Sequence, residues 1–286
     1  MHKGIAYSQV LPDTSDVRNL QNAGITLVRL EAAPDWGAGP VAYLERHGIG
    51  AVLLLGSALI PSVPQDVWNA DAGSLYFKAA QTTWQAAIRK VFATKPYPAY
   101  VEIWNEGNCW TTPPGVPGDA PTGWTYFRPE NYVLFLSDAA QIIREVSPGT
   151  RIVSTGLFGH EVSGVDYLRI VRQWMSAQSD FPVDFIGYHP YFDIAGGLQT
   201  GKLLTALQEL HAVGGKPILI TEAGWSTKLC TPERQASNIA AMLATCKASG
   251  IVEGVCVFSY RDTTNSDPPI YYGVYGKPAW QAIKGA

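Results

Sequence analysis

One order of events recurs along this chain: a polar or amphipathic stretch, a Gly or Pro turn, then a short apolar run rich in β-branched residues. It runs from Asn22 to Glu31, His47 to Gly56, Ser147 to Gly156, Val213 to Glu222 and Ser249 to Tyr260. Near-continuous apolar runs of this length suit strands buried on both faces, as parallel sheets require. Gly4–Tyr7, Ala99–Trp104 and Asp184–Tyr188 bring the candidate strands to about eight by run-and-turn criteria. Helical patterns fill the intervals at Ser15–Ala23, Val41–His47, Leu75–Phe92, Pro129–Val146, Val165–Ala177, Leu198–Ala212, Pro232–Ser249 and Pro278–Ile283, several with a Pro start. Strict alternation of this kind predicts an α/β chain closed as a (β/α)8 TIM barrel, a fold of about 250 residues. An open doubly wound sheet is the structural alternative, but no Gly-rich fingerprint follows the first strand.

No linker or low-complexity zone interrupts the pattern, so residues 1–286 read as a single domain. The excess length lies in loops after strands, at Ser57–Gly73, Gly107–Arg128 and Arg261–Ile270, where such a barrel builds its active face. With 47% hydrophobic and 16% charged residues, the composition excludes disorder and collagen-like repeats. A net charge of -3 without a basic block argues against a nucleic-acid partner, and no apolar run is long enough to span a membrane. Met1-His2-Lys3 runs straight into a strand-like segment, so a signal peptide is not expected within this chain. Cys109, Cys230, Cys246 and Cys256 have no metal-site spacing, although Cys109 and Cys230 could pair if their loops meet.

Two carboxylates close strands: Glu106 in Val101-Glu-Ile-Trp-Asn-Glu106 and Glu222 in Pro217-Ile-Leu-Ile-Thr-Glu222. A period of two puts Glu102, Trp104 and Glu106 on one face, and Ile218, Ile220 and Glu222 on one face of the other strand. A carboxylate pair at a barrel mouth suits glycosidic cleavage, in which one acid protonates a poor leaving oxygen and the other faces a developing oxocarbenium ion. For each Glu alone, an N-cap or a surface charge is the plainer reading.

Ile103-Trp-Asn-Glu-Gly-Asn108 and Ile220-Thr-Glu-Ala-Gly-Trp225 together resemble clan A of the glycoside hydrolases, retaining (β/α)8 enzymes whose acid/base and nucleophile close strands four and seven. Tyr272-Gly-Val-Tyr-Gly-Lys-Pro-Ala279 is similar to that clan's usual ending. The resemblance implies Glu106 as general acid/base, Asn105 as donor to the sugar 2-hydroxyl, and Glu222 as the nucleophile of a glycosyl-enzyme intermediate. It also implies an arginine near the nucleophile, here Arg29, and a His/Tyr pair after the sixth strand, here His189 and Tyr191, with the tyrosine hydroxyl orienting the nucleophile. Arg29 could equally be a structural partner of Glu31 or Glu102, and His189 a satisfied core histidine. Gly107 stands where the clan frequently has Pro. Phe258 or Tyr260 stands where it commonly has a tryptophan platform. Gly4-Ile-Ala-Tyr-Ser8, Leu11-Pro12 and Val28-Arg-Leu30 resemble the β-1,3-glucanase family, whose fourth-strand motif differs from Ile103-Trp-Asn.

Of nine tryptophans, Trp36, Trp68, Trp110, Trp124 and Trp225 fall on loops after strands, where a ring face can stack on a pyranose. The expectation is therefore a retaining β-glycoside hydrolase with endo action on a β-glucan-like or related polysaccharide, monomeric, with no cofactor or metal. Extracellular, virion or cell-surface action follows from a polymer substrate. A catalytically silent carbohydrate-binding barrel is the competing reading, but it would have lost a carboxylate and this chain keeps both. No strand-end Lys or His cluster points to a Schiff-base or metal-dependent barrel enzyme.

Overall fold

In the described part of the chain, strands and helices alternate as β1 (His2–Ala6), α1 (Thr14–Asn22), β2 (Leu27–Glu31), α2 (Gly39–Glu45), β3 (Gly50–Leu55), α3 (Leu75–Val91), β4 (Tyr100–Ile103) and α4 (Pro129–Val146). They continue as β5 (Arg151–Val153), β6 (Leu157–Phe158), α5 (Val162–Ser176), β7 (Ile186–His189), α6 (Thr200–Gly214), β8 (Ile218–Ala223), α7 (Pro232–Ser249), β9 (Val252–Phe258) and α8 (Pro278–Gly285). This computed structural model describes residues 1–7, 12–35, 37–109, 127–159, 162–176, 181–191, 196–263 and 270–286. The helix starts are set locally. Asp13, Ser74 and Thr231 accept from the backbone N–H three residues on, and Pro129 and Pro232 occupy first turns. Gly215 and Gly250 stop α6 and α7 in the left-handed region.

All strand pairs are parallel, in the order β5-β4-β3-β2-β1-β9-β8-β7-β6. The two ends of that order are consecutive in the chain, β5 within the expected Ser147–Gly156 run and β6 just past its Gly156. Bridges from Asn105 to Gly156 and from Val153 to Phe185 hold the broken strand between its neighbours, so the sheet curls into a barrel. Among the described residues nine strands rather than eight result because side chains replace ladder bonds at the break. Ser154 Oγ accepts from Gly187 N at 3.0 Å, the Tyr132 hydroxyl accepts from Thr155 N at 2.7 Å, and Thr155 Oγ1 accepts from Gly107 N at 2.9 Å.

Strand alternation sorts the apolar residues into two cores. Ala6, Leu27, Val52, Tyr100, Val153, Phe185, Leu219 and Cys256 fill the barrel, while the larger cluster lies between sheet and helices. Above the inner apolar layer, toward the carboxyl ends of the strands, the inward positions become polar: Arg29, Glu102, His189 and Thr221, all buried. All four cysteines are free thiols, so Cys109 and Cys230 are not paired. Among the described residues no helix is long and apolar enough to cross a membrane.

Candidate active site

Two local departures from regular strand geometry aim the paired carboxylates. In β4, Tyr100 and Glu102 point into the barrel and Ile103 points out. Trp104 then adopts φ 76° and also turns out, into an aromatic nest with Trp68, Trp84, Phe127 and Phe135. Simple alternation had placed Trp104 beside Glu102 and Glu106; the left-handed backbone breaks that alternation. Asn105 and Glu106, the latter at φ 49°, are thereby both delivered to the mouth. Non-glycine residues in this region cost about 1–3 kcal/mol each and persist where the surroundings enforce them.

In β8 the equivalent device is a bulge. Ile220 pairs with Val255 but Ala223 with Val257, so three steps on β8 oppose two on β9. Ile218 and Ile220 pack outward, as alternation requires, yet Thr221 and Glu222 both reach the interior. The expectation that Glu222 shares a face with the two isoleucines is therefore corrected.

Arg29 sits at the centre. Its Nε donates to Glu102 at 2.6 Å, Nη1 to Glu222 at 3.0 Å and Nη2 to the Asn105 side-chain oxygen at 2.8 Å. Both alternatives for Arg29 hold, since it pairs the inner carboxylate and the strand-end one. Glu31 stands exposed at the end of β2. The Tyr191 hydroxyl donates to the other oxygen of Glu222. His189 Nδ1 lies 2.9 Å from Glu106 and Nε2 3.0 Å from Thr221 Oγ1, which itself donates to Glu102 at 2.7 Å. Gly107, where a proline was the comparison, uses its N–H on Thr155.

Glu106 and Glu102 sit in unequal surroundings. Glu106 is 8% exposed, and burial pushes its pKa above the ordinary carboxylate value against the opposing pull of His189. Glu102 is fully buried, yet Arg29 and His189 outweigh the burial and hold it at about 2. One oxygen each of Glu106 and Glu222 and a ring nitrogen of His189 lie within 4.8 Å of one another. The spacing alone would suit a cation, but the Arg29 guanidinium already occupies one side of Glu222, and each donor atom has a hydrogen-bond partner in the cluster. A group of this kind holds and moves protons.

Aromatic residues divide differently from the sequence expectation. Trp225 is 1% exposed and its carbonyl accepts from Gln235 of α7, which also binds the Tyr272 and Gly273 carbonyls and ties this segment down. Tyr260 is equally buried, stacked on Tyr7 and packed on Tyr275 and Trp280, with its hydroxyl accepting from Asn19 of α1. Trp68 is fully buried beside Trp104. None of these three faces the mouth. Trp36, Trp110 and Trp124 lie outside the described residues. Half-buried Phe258 does reach the mouth, 5.5 Å from Tyr272, whose ring is 6.1 Å from that of Tyr191. Tyr272 and Thr221 are members of the site that had no role in the sequence reading, whereas Glu102 was named there as a partner for Arg29 and alternation had already turned it toward Glu106.

A barrel that brings two strand-end carboxylates together over a buried arginine belongs among the carbohydrate-cleaving (β/α)8 enzymes, and a comparison with known families agrees. The glycosyl hydrolase catalytic core model matches residues 78–272, and the chain belongs to that family. It is a glycoside hydrolase. No curated protein matches the sequence closely enough to count as a relative. Among solved structures, the chain is similar to a GH128 (subgroup I) endo-β-1,3-glucanase from Amycolatopsis mediterranei in complex with laminaritriose and laminaribiose. That likeness has 18% identity, a TM-score of 0.63, and covers 100% of this chain and 99% of the other. A GH128 (subgroup II) endo-β-1,3-glucanase from Sorangium cellulosum gives 17%, 0.65, and coverage of 100% and 98%. A family 39 glycoside hydrolase from Bacteroides cellulosilyticus WH2 gives 17% and 0.66, with 99% of this chain against 62% of that one. At these identities the likeness is one of fold.

Proposed function

We propose that this glycoside hydrolase is a retaining, endo-acting β-glucan hydrolase in which Glu106 is the general acid/base and Glu222 the nucleophile. The observation that carries the reading is the approach of their oxygens to within 4.8 Å. Retention needs carboxyl groups about 5–5.5 Å apart, whereas inversion needs about 6.5–9.5 Å to admit a water. Burial favours the protonated form of Glu106, as an acid requires, and Arg29 and Tyr191 supply the hydrogen bonds that an attacking carboxylate needs for orientation. In the first step Glu106 protonates the glycosidic oxygen while Glu222 bonds to the anomeric carbon. In the second, Glu106 takes a proton from water as that water displaces Glu222.

Asn105 has its carbonyl oxygen committed to Arg29, a group that only donates, so its NH2 is left to face a sugar hydroxyl. Phe258 and Tyr272 offer apolar ring surface beside Tyr191. The β-1,3-glucan class is supported by the fold likeness to endo-β-1,3-glucanases, one of them in complex with laminari-oligosaccharides. A polymer substrate favours action outside the cell or on a virion or cell surface. A monomer is the proposed state, since the residues assigned here close around one barrel mouth.

Azide rescue tests the roles. Glu222→Ala loses turnover and regains it with azide as a glycosyl azide of inverted configuration. Glu106→Ala keeps its first step on substrates with good leaving groups and gives azide product of retained configuration. Equal losses in both variants that azide restores in neither would overturn the assignment.

A further inference from the structure

The two ring nitrogens of His189 meet different chemistry, and the hydrogen-bond accounting fixes what Nε2 carries. Glu102 accepts from Arg29 through Oε2 at 2.6 Å and from Thr221 through Oε1 at 2.7 Å. Paired with a guanidinium, it is a carboxylate and can only accept, so the single hydroxyl hydrogen of Thr221 is committed to it. Thr221 Oγ1 must then accept from His189 Nε2 at 3.0 Å, and Nε2 carries a hydrogen. The same nitrogen lies 3.5 Å from Glu102 Oε1. Nδ1, on the other side of the ring, faces Glu106 Oε1 at 2.9 Å.

Charge balance bears on the second nitrogen. The ionisable groups facing His189 are Glu102 and Glu106 from β4 and its end, Arg29 from β2, Glu222 from β8, and Tyr191 from just beyond its own strand. One guanidinium is paired with two carboxylates, Glu102 and Glu222, and a buried cluster of unequal charge is costly. A second cation restores neutrality while leaving Glu106 in its uncharged acid form.

We propose that His189 is a resident imidazolium whose Nδ1–H occupies Oε1 of Glu106, so that the catalytic proton is carried on Oε2. Thr221 and Glu102 are the positioning residues that hold the ring in this state. The inference rests on Glu106 being the acid/base. When the Oε2–H bond breaks, its proton passes to the glycosidic oxygen, which also takes the electron pair of the departing C–O bond. The Glu106 carboxylate left behind faces the imidazolium at 2.9 Å in a charge-assisted hydrogen bond. Water returns the proton to Oε2 in the second step, and His189 keeps both of its own hydrogens throughout.

Two further observations agree. Burial opposes a charged ring, while the Glu102 and Glu222 carboxylates pull its pKa upward. At the break in the fifth strand, a Cβ on Gly156 would lie 2.2 Å from His189 Nε2 and 2.6 Å from Glu102 Oε1. The chain leaves that space bare where the imidazole meets the carboxylate.

The test is nitrogen NMR of the histidine rings in the intact protein, with the His189 signals assigned by their loss in His189→Gln. Near neutral pH both His189 nitrogens are expected in the protonated range; a bare Nδ1 or Nε2 would overturn the proposal without any folding question. In Glu102→Gln, Arg29 can only donate, so it holds the amide oxygen and turns the NH2 toward Thr221. The hydroxyl then reverses and donates to Nε2. The ring is expected to become neutral with a bare Nε2, and the alkaline limb of kcat/KM to move up as Glu106 loses its cation. Thr221→Ser should keep the parent spectrum and pH profile. A protonated Nε2 in Glu102→Gln would also overturn the proposal. Azide rescue of Glu222→Ala alongside a neutral His189 would leave the carboxylate roles standing and remove only this one.

Discussion

Raising the pH should loosen the fold through one buried ring. His189 has no exposed surface, and its pKa stands at about 9 in the folded protein against an ordinary 6.5. Protonation of the folded state is favoured over that of the unfolded chain by that difference, which corresponds to about 3 kcal/mol. Because the folded value is the higher one, this stability is complete below pH 6.5 and is lost as pH rises through 9. Glu106, raised by burial, loses stability in the same direction as it ionises. Burial also raises the four free thiols, which lose stability in the same direction toward pH 9, so the share of His189 is read as the difference between the parent and His189→Gln. Urea denaturation of the parent at a series of pH values across this window should show a fall of at least about 3 kcal/mol in unfolding free energy. The same series on His189→Gln should fall less steeply, the difference from the parent being about 3 kcal/mol. A flat profile in the parent, or an equal slope in the variant, would refute the reasoning.

Removing the Tyr191 hydroxyl with Tyr191→Phe takes one charged hydrogen bond from Glu222, and kcat/KM should fall by about 10- to 100-fold with little change in unfolding midpoint. Gly156→Ala forces a methyl against His189 and Glu102, so activity and stability should fall together, with stability down by about 3 kcal/mol or more; full activity would mean the neighbours yield freely. Trp225→Ala should cost about 3–5 kcal/mol of stability, measured by denaturation, while oligosaccharide binding by calorimetry at low temperature stays near the parent value.

Much of the site was legible because strand ends are locally encoded. The run-and-turn pattern put Glu106 and Glu222 at the carboxyl ends of strands, the resemblance to clan A added Arg29, Asn105, His189 and Tyr191, and a closed barrel has a single mouth where such ends meet. Less legible was direction. Regular alternation put Trp104 inside and grouped Glu222 with two outward isoleucines; one left-handed residue and one bulge reversed both. Aromatic residues were the least readable, because a tryptophan on a loop has the same sequence signature whether it covers a cleft or fills a core. Trp225 and Tyr260 fill the core, held there by Gln235 and by Tyr7, Tyr275 and Trp280.

The sequence by itself determined the alternation of elements, the helix caps and the chemistry available at each strand end, since these depend on neighbours within a few residues. Only the tertiary structure decided which charges pair. Arg29 and Glu102 are 73 residues apart, and Glu102 and Thr221 are 119. A buried carboxylate takes its charge state from what closes around it. The arrangement that leaves Glu102 ionised and Glu106 above the ordinary carboxylate range exists once the barrel has brought β2, β4, β7 and β8 together.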